Sequence, residues 1–517
     1  MSSSDSDPTQ EFDVGRQGDS AELEFHGGRM MSAFPILFFI VWAIVQTALW
    51  RVSDTNGLII GILGGIIVGM FFVKGSWANY ANTMFEGMTQ PVAVTAVVAW
   101  LWAGMFSQTL QAGGFVQGLV WLADFAGVGA ILFPAISFIL AALLATGIGT
   151  GYGTVIAFVV LFWPTGIILG AHPVLLFGAI LSGAIFGDNL APVSDTTIVS
   201  AVTQDSDIGG VVATRFKYAI VAAAVALPAY ILVSSTMSGL QITGDARAIF
   251  LENADPAGLV HLASMGIVIG AAVKGRHIVE AITWGIIAAI VANLLFGLAS
   301  LSDIIVFRAP VDGPLVEPLS FLPFLEVVEP ENVGVGGSLL DGITGFFGLA
   351  ILILFIIAAA QIMIRGGAFD VILDFSFSRL ATNTRNAELT MVGSAALINA
   401  AITINTAAEI AIGPYISKLG ERFNINGYRR ANILDAMTSS LGYIFPWSGG
   451  VLVGFEAMQG LPNQYEFIDA GMVVNPIEVI PFVFHGWLLV AVFILAAHSG
   501  FGREYLIDRE SKEVARA

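Results

Sequence analysis

"PVLLFGAILSGAIFGDNLAPVSDTT", residues 173–197, begins as one of the most apolar runs in the chain and then turns polar within a few positions. Two carboxylates, Asp188 and Asp195, lie seven residues apart around a proline. On a continuous helix that spacing would place both on one face, two turns apart. Pro192 argues against continuity, because it lacks an N–H and disfavours helical geometry at Ala191. Together with Gly187 it predicts a helix that unwinds here and resumes beyond. Asp195, Ser194, Thr196 and Thr197 are residues that cap such a restart.

The rest of the chain says what solvent surrounds this break. Of 517 residues, 56% are hydrophobic and only 12% charged, with a mean hydropathy of +0.83, so the solvent is mostly lipid. Apolar windows of about the length needed to cross a bilayer recur at 34–50, 57–73, 91–111, 130–147, 151–169, 173–203, 217–236, 258–273, 279–299, 342–363, 388–404, 405–419, 431–459 and 476–497. Period-2 alternation is absent, which excludes a membrane β-barrel. The expectation is an all-α polytopic membrane protein of about 12–14 transmembrane segments, with interfacial or re-entrant pieces at 112–129 and 366–386.

A net charge of −18 on so sparsely charged a chain makes the water-exposed parts acidic and nucleic acid an unsuitable partner. An acidic surface of this kind also suits a high-salt organism. Residues 1–33 lack the basic start and short apolar core of a cleaved signal peptide and read as a disordered, acidic cytoplasmic tail. With no cysteine there are no disulfides or thiolate metal sites. Cytoplasmic loops collect Lys and Arg. Lys74, Arg215, Lys217, Lys274, Arg276, Arg365, Arg379, Arg385, Lys418, Arg422, Arg429, Arg430 and the tail from Arg503 fall on one side. The acidic loop 300–341 falls on the other, and Arg51 is the dissenting residue. Both termini are then cytoplasmic, in a multi-pass protein of the cell membrane.

Comparison of the halves shows a weak internal repeat. "TGIGTGYGTVIAFVVLFWP", ending at Pro164, has a counterpart in "AITINTAAEIAIGP", ending at Pro414, and "LAPVSDT" resembles "IFPWSGG". The charge pattern sends the span before Pro164 outward and the span before Pro414 inward, so the repeats are inverted. The expected organisation is a first half at 34–240 with its break at 187–197, connecting helices at 241–299, the loop 300–341, a second half at 342–500 with its break at 442–450, and a tail at 501–517. Interrupted spans at matching places in inverted halves are the signature of a secondary transporter with a midplane site.

Unwound backbone at membrane depth frees carbonyls that, with Asp188, Asn189, Ser194, Asp195, Thr196 and Thr197, make an oxygen-only set suited to a small hard cation such as sodium. The bland alternative is a solvated surface loop with an N-cap. In "INAAITINTAAEIAIGPY", Asn405 and Glu409 share a helix face and are the expected other half of the site, with Thr406 beside them, although polar residues also simply join helices. Outer candidates are Thr150 and Thr154, in the glycine-rich "TGIGTGYGT", and Ser439 and Ser448, at the second break. That glycine-rich run lacks the lysine of a P-loop and reads as a tight re-entrant tip or close helix packing. Asp435 is as well explained as an interfacial residue. His172 and His485 fit satisfied helix-end histidines better than proton-relay members. Residues 75–214 and 431–502 contain no Lys or Arg, so no base stands ready in these segments to clamp an anion.

At "GDNLAPVSDTT" the chain resembles the NhaC-type sodium/proton antiporters of the ion transporter superfamily, whose hallmark is a Gly-Asp, Ser/Ala-Pro, Ser-Asp-Thr-Thr run. The resemblance covers most of 57–497 and implies an ion site at Asp188, Ser194, Asp195 and Thr196. Asn189 and Ala191 stand where many relatives carry Lys and Ser, so a mechanism using that lysine does not carry over. Exchangers of malate for lactate, and of amino acids, belong to the same wider group. The expected function is exchange of intracellular sodium for external protons by alternating access, with sodium and protons as partners beside the lipid bilayer, no cofactor, no enzymatic reaction, and a homodimer left open. A cation-coupled exchanger of small organic anions or amino acids is the alternative. An intramembrane aspartyl protease fits poorly, since "IFGD" falls short of Gly-x-Gly-Asp. A channel would lack saturable, coupled flux.

Overall fold

The computed structural model describes residues 23–52, 54–192, 194–237, 254–274, 276–375 and 379–506. Among the described residues, twenty α-helices of seven or more residues carry the architecture. They run α1 Phe34–Ile44, α2 Thr55–Met70, α3 Trp77–Met88, α4 Pro91–Ala112, α5 Phe115–Phe125, α6 Phe133–Ile148, α7 Gly151–Ile168, α8 Pro173–Leu190, α9 Asp195–Thr203 and α10 Ile208–Thr236. After them come α11 His261–Val273, α12 Ile278–Phe296, α13 Ser338–Thr344, α14 Phe347–Arg365, α15 Ala368–Phe375, α16 Thr384–Ile402, α17 Asn405–Arg422, α18 Gly427–Leu441, α19 Gly449–Gln459 and α20 Phe484–Ser499. Seven stretches among the described residues are long and apolar enough to cross a membrane unaided. Among the described residues, the helices Thr55–Met70, Phe115–Phe125, Phe133–Ile148, Pro256–Ala272 and Phe484–Ser499 are apolar but shorter.

Burial separates the centre from the rim. The spanning windows of α7 and α8 are 94% and 89% buried, against 28% for α10 and 33% for α12. The outer helices therefore turn apolar faces such as Leu143, Leu232 and Leu295 outward, which is stable only in lipid. Small residues bring the central helices together. Gly183 and Gly187 on α8 lie so close to α6 that an added Cβ would stand 2.5 Å from the Phe138 carbonyl and 2.3 Å from the Ala145 side chain, a small-xxx-small contact between helices.

Four helix interruptions follow from local chemistry. Gly149 ends α6 at φ 70°, and Thr150 caps α7, its hydroxyl accepting from the Gly153 N–H at 3.4 Å. Ala191 ends α8 in extended geometry, as its position before Pro192 requires. Thr403 ends α16 at φ 66°, a strained conformation for a β-branched residue, and Ile404 is extended before α17. Between α18 and α19 the chain leaves the helix at Gly442 and resumes after Ser448.

Three expectations need correction. Residues 23–33 are not a free tail: Phe25 is buried, and Glu24–Phe25 (β1) pairs antiparallel with Val73–Lys74 (β2). Residues 1–22 lie outside the described residues. At the other end, Tyr505 bridges to Ile425 and Arg503 binds Glu388, so residues 501–506 are docked and only 507–517 lie outside the described residues. The loop 300–341 carries a three-stranded sheet ordered β4-β3-β5, with β3 (Val306–Pro310) parallel to β4 (Leu325–Val328) and antiparallel to β5 (Gly334–Gly336). Its alternating valines and surrounding Gly/Pro turns supply the signal for strands.

Candidate functional site

All four interruptions meet. At the first, Gly151 sits so close to the fourth that an added Cβ would lie 1.9 Å from the Tyr443 hydroxyl and 3.0 Å from Asp188 Oδ2. Tyr152 stacks on Tyr443 with ring centroids 5.3 Å apart, and its hydroxyl donates to Asn405 Oδ1 at 3.2 Å. The Gly449 N–H donates to the Thr403 carbonyl at 3.0 Å, which ties the third break to the fourth.

Asp188, in the last turn of α8, is buried and held from two sides. Ser194 Oγ donates to Oδ1 at 2.8 Å from across its own break, and Tyr443 Oη donates to Oδ2 at 3.0 Å from the other half. Ser194 also meets Thr196 Oγ1 at 3.0 Å. Asp195 opens α9, where a carboxylate is favoured by the helix dipole. Its Oδ1 accepts from the Thr196 N–H at 3.0 Å and its Oδ2 from Thr406 Oγ1 at 2.5 Å. Asp195 is half-buried and Pro192 exposed, so this break reaches the protein surface.

Glu409 lies one turn beyond Asn405 on α17 and is fully buried. Thr438 Oγ1 donates to its Oε1 at 2.7 Å, while Oε2 has no hydrogen-bond partner among the described residues. Asn189 Oδ1, Thr403 Oγ1 and Asn405 Nδ2 are buried and unpartnered in the same way. Buried polar atoms are nearly always satisfied, so this group of orphans marks a place where water or a ligand belongs. None of Asp188, Asp195 and Glu409 is ion-paired among the described residues. A carboxylate buried without a countercharge is neutralised by whatever cation reaches it, proton or metal ion. No three His, Asp or Glu side chains gather as a metal-binding group among the described residues. Any cation held here would rest on single carboxylates with hydroxyls, amides and carbonyls.

The sequence left Asp435 open between an interfacial residue and a member of the second break, and it misplaced Arg215. Asp435 is not interfacial but fully buried on α18, and Arg215, counted above among loop cations, lies fully buried on α10 in an ion pair with it. A base does therefore enter the core, although Asp435 engages it. Asn189 turns its Nδ2 to Asp435 Oδ1 at 3.4 Å rather than to Asp188. Thr197 and Ser439 also serve Asp435, at 3.4 and 2.5 Å. Three outer candidates touch no carboxylate. Thr150 caps α7, Thr154 donates to the Thr150 carbonyl at 2.9 Å, and Ser448 donates to the Phe445 carbonyl at 2.7 Å. Tyr443 and Tyr152 were missed altogether, because nothing local distinguishes a site tyrosine from a packing one. His485 is not a satisfied histidine either. It is buried between Phe138 and Phe186, and neither ring nitrogen has a partner among the described residues.

The Na+/H+ antiporter family model matches residues 21–235 and 263–487. An arginine/ornithine antiporter of Halobacterium salinarum is 24% identical over 460 residues, which is 82% of this chain and 86% of that protein. The Na(+)/H(+) antiporter NhaC of Alkalihalophilus pseudofirmus is 24% identical over 172 residues, 31% of this chain and 35% of that one. Among solved structures, MtrF of Neisseria gonorrhoeae, described as one of a class of antimetabolite efflux pumps, superposes at TM-score 0.41 with 12% identity, covering 89% of this chain and 94% of its own. With the family's pattern spanning both halves and both carboxylate-bearing breaks, the chain belongs to the Na+/H+ antiporter family.

Proposed function

We propose that the chain exchanges intracellular sodium for external protons across the cell membrane, at one site formed by Asp188, Asp195 and Glu409 with Ser194, Thr196, Asn405 and Thr406. The observation that carries this reading is the contact between halves. Asp195 of the first accepts from Thr406 of the second at 2.5 Å, and Tyr443 of the second donates to Asp188 of the first. Asp188 and Asp195, neither ion-paired among the described residues, are thus each held from the opposite half, and Glu409 lies one turn along the helix that carries Thr406.

Proton and sodium compete there for the same oxygens, so loading one displaces the other. The empty site is negatively charged and costly to carry through a low-dielectric barrier. The loaded site is closer to neutral and can pass between inward- and outward-facing states. Rocking of one half against the other would break and remake the Asp195–Thr406 and Asp188–Tyr443 contacts, giving access from alternate sides. Both termini lie on the cytoplasmic side in this arrangement, following the distribution of Lys and Arg.

The test is sodium-driven collapse of an imposed pH gradient in proteoliposomes. Asp195→Asn should abolish it while the protein remains folded and inserted; exchange at the wild-type rate in that variant removes Asp195 from the mechanism.

A second reading has a specific observation behind it: the arginine/ornithine antiporter matches the chain over most of its length. Carboxylates without a free base suit an ammonium or guanidinium cargo as well as sodium. They suit an organic anion less, because Arg215, the base buried among the described residues beside Asn189 and Thr197, is engaged by Asp435. Counterflow of labelled arginine against ornithine, without any need for sodium, would establish this reading in place of the first.

A further inference from the structure

We infer that the Arg215 guanidinium occupies a second monovalent-cation site, standing permanently in the place of a second ion. This rests on the reading of Asp188, Asp195 and Glu409 as the exchange site. The guanidinium is enclosed by oxygens from both halves. Nη1 donates to the Asn189 carbonyl at 2.6 Å, to Thr197 Oγ1 at 3.2 Å and to Asp435 Oδ2; Nη2 donates to Ser200 Oγ at 3.3 Å; and Nε donates to Asn432 Oδ1 at 3.1 Å. Arg215, Asp435, Thr197 and Ser200 are all fully buried.

The chemistry of this cage is that of a cation site rather than of a simple ion-pair staple. The Asn189 carbonyl is free because it lies in the last turn of α8, where carbonyls have no partner in their own helix. It joins a carboxylate, two hydroxyls and an amide oxygen, a hard all-oxygen set of the kind that holds small cations. Asp435 is further fixed by Ser439 at 2.5 Å, so the cage is braced on its far side as well. A staple needs only one carboxylate; here the Asn189 carbonyl, Thr197, Ser200 and Asn432 join Asp435 in converging on the same charge. The break at 190–194 therefore presents two cation positions, one at Asp188 and Asp195 that is open to exchange and one at Asp435 that the chain fills with its own side chain. A tethered charge cannot leave, so the second position contributes no ion to the cycle.

Removing the tethered charge should open the position to sodium. The purified full chain is assayed by equilibrium binding of labelled sodium, and by thermal unfolding in sodium against choline at constant ionic strength. Arg215→Ala should bind one more sodium per chain than wild type and should be stabilised by sodium much more steeply. The double variant Arg215→Met/Asp435→Asn, which removes both charges of this ion pair together, should fold and return to the wild-type count. In Arg215→Ala/Asp195→Asn the gained sodium should persist, which reads this position separately from the exchange site. Absence of sodium-driven exchange in wild type would sink the functional reading, whereas the sodium count of Arg215→Ala reads this position, so the two failures are distinguishable. The inference is overturned if Arg215→Ala binds no more sodium than wild type. It is equally overturned if Arg215→Ala cannot be recovered folded even at molar sodium while the double variant can, because sodium then does not replace the guanidinium.

Discussion

Gly151→Ala tests the convergence of the four breaks at the cost of a single methyl group. The new Cβ would stand 1.9 Å from the Tyr443 hydroxyl and 3.0 Å from Asp188 Oδ2. Ordinary contact needs about 3.5 Å, so Tyr443 must withdraw by roughly 1.5 Å. It cannot do so freely, being stacked on Tyr152, which in turn holds Asn405. Overpacking of this size typically costs about 1–3 kcal/mol, offset in part by the ~1 kcal/mol that alanine gains over glycine in a helix. Global stability should therefore change little. Function should change much more, since a displacement of about 1 Å at a reacting or binding centre can cost ~100-fold in rate. The assay is sodium-driven proton flux in proteoliposomes, with thermal unfolding of the same preparation alongside. Gly393→Ala on α16, where an added Cβ meets nothing within 4 Å, is the control and should transport at the wild-type rate. Wild-type flux in Gly151→Ala would refute the proposition that Asp188, Tyr443 and Asn405 work as one assembly.

Other perturbations probe the supports of the site. Thr403→Gly relieves a β-branched residue held at φ 66° and should raise stability by about 1 kcal/mol, read as a higher unfolding temperature; a lower one would show that the Thr403 side chain contributes more than its strain costs. Glu388→Gln leaves buried Arg429 without its carboxylate, which it now meets at 2.9 and 3.2 Å, and removes the anchor of Arg503. The expected loss is about 3–5 kcal/mol, and a variant unfolding within a degree of wild type would contradict it. In the loop 300–341, hydrogen bonds from Ser300 hold the Asp303 carboxyl below the usual aspartate range. A depressed carboxyl stabilises the folded loop above its unfolded pKa, and that contribution fades as pH falls through the lowered folded value. Intrinsic-rate-corrected hydrogen exchange at Ser300 and Asp303 should therefore accelerate on acidification below about pH 4, and unchanged protection there would count against the cap.

The legible part of this protein was the local part. Apolar run lengths placed most of the spanning helices within a few residues, and Gly187, Pro192, Gly442 and Pro446 announced two of the breaks, because helix termination depends on the residue and its immediate neighbours. Of the other two breaks, the one at Gly149 lay in the glycine-rich run read as a tight re-entrant tip or close helix packing, and the one at Thr403 showed only as a boundary between adjacent apolar windows. Asp188, Asp195, Asn405 and Glu409 stood out as candidates for a related reason: a polar residue in an apolar run with no base nearby needs an explanation wherever it lies.

Partner choice was not legible. Arg430, five positions before Asp435, made an interfacial reading of it as good as the alternative, yet its ion-pair partner is Arg215, 220 positions away. Tyr443 reaches Asp188 across 255 positions, and no periodicity in either segment encodes that meeting. Hydropathy reports the medium a side chain must live in, which is a property of single residues and short windows. Which charge neutralises which, and whether a tyrosine packs or binds, is settled only when distant helices are brought to within a hydrogen bond's length. The sequence by itself therefore determined a lipid-embedded helical protein with interrupted spans and acidic residues at the interruptions; the tertiary structure decided that those interruptions share one place, and that one of its carboxylates already has a cation of its own.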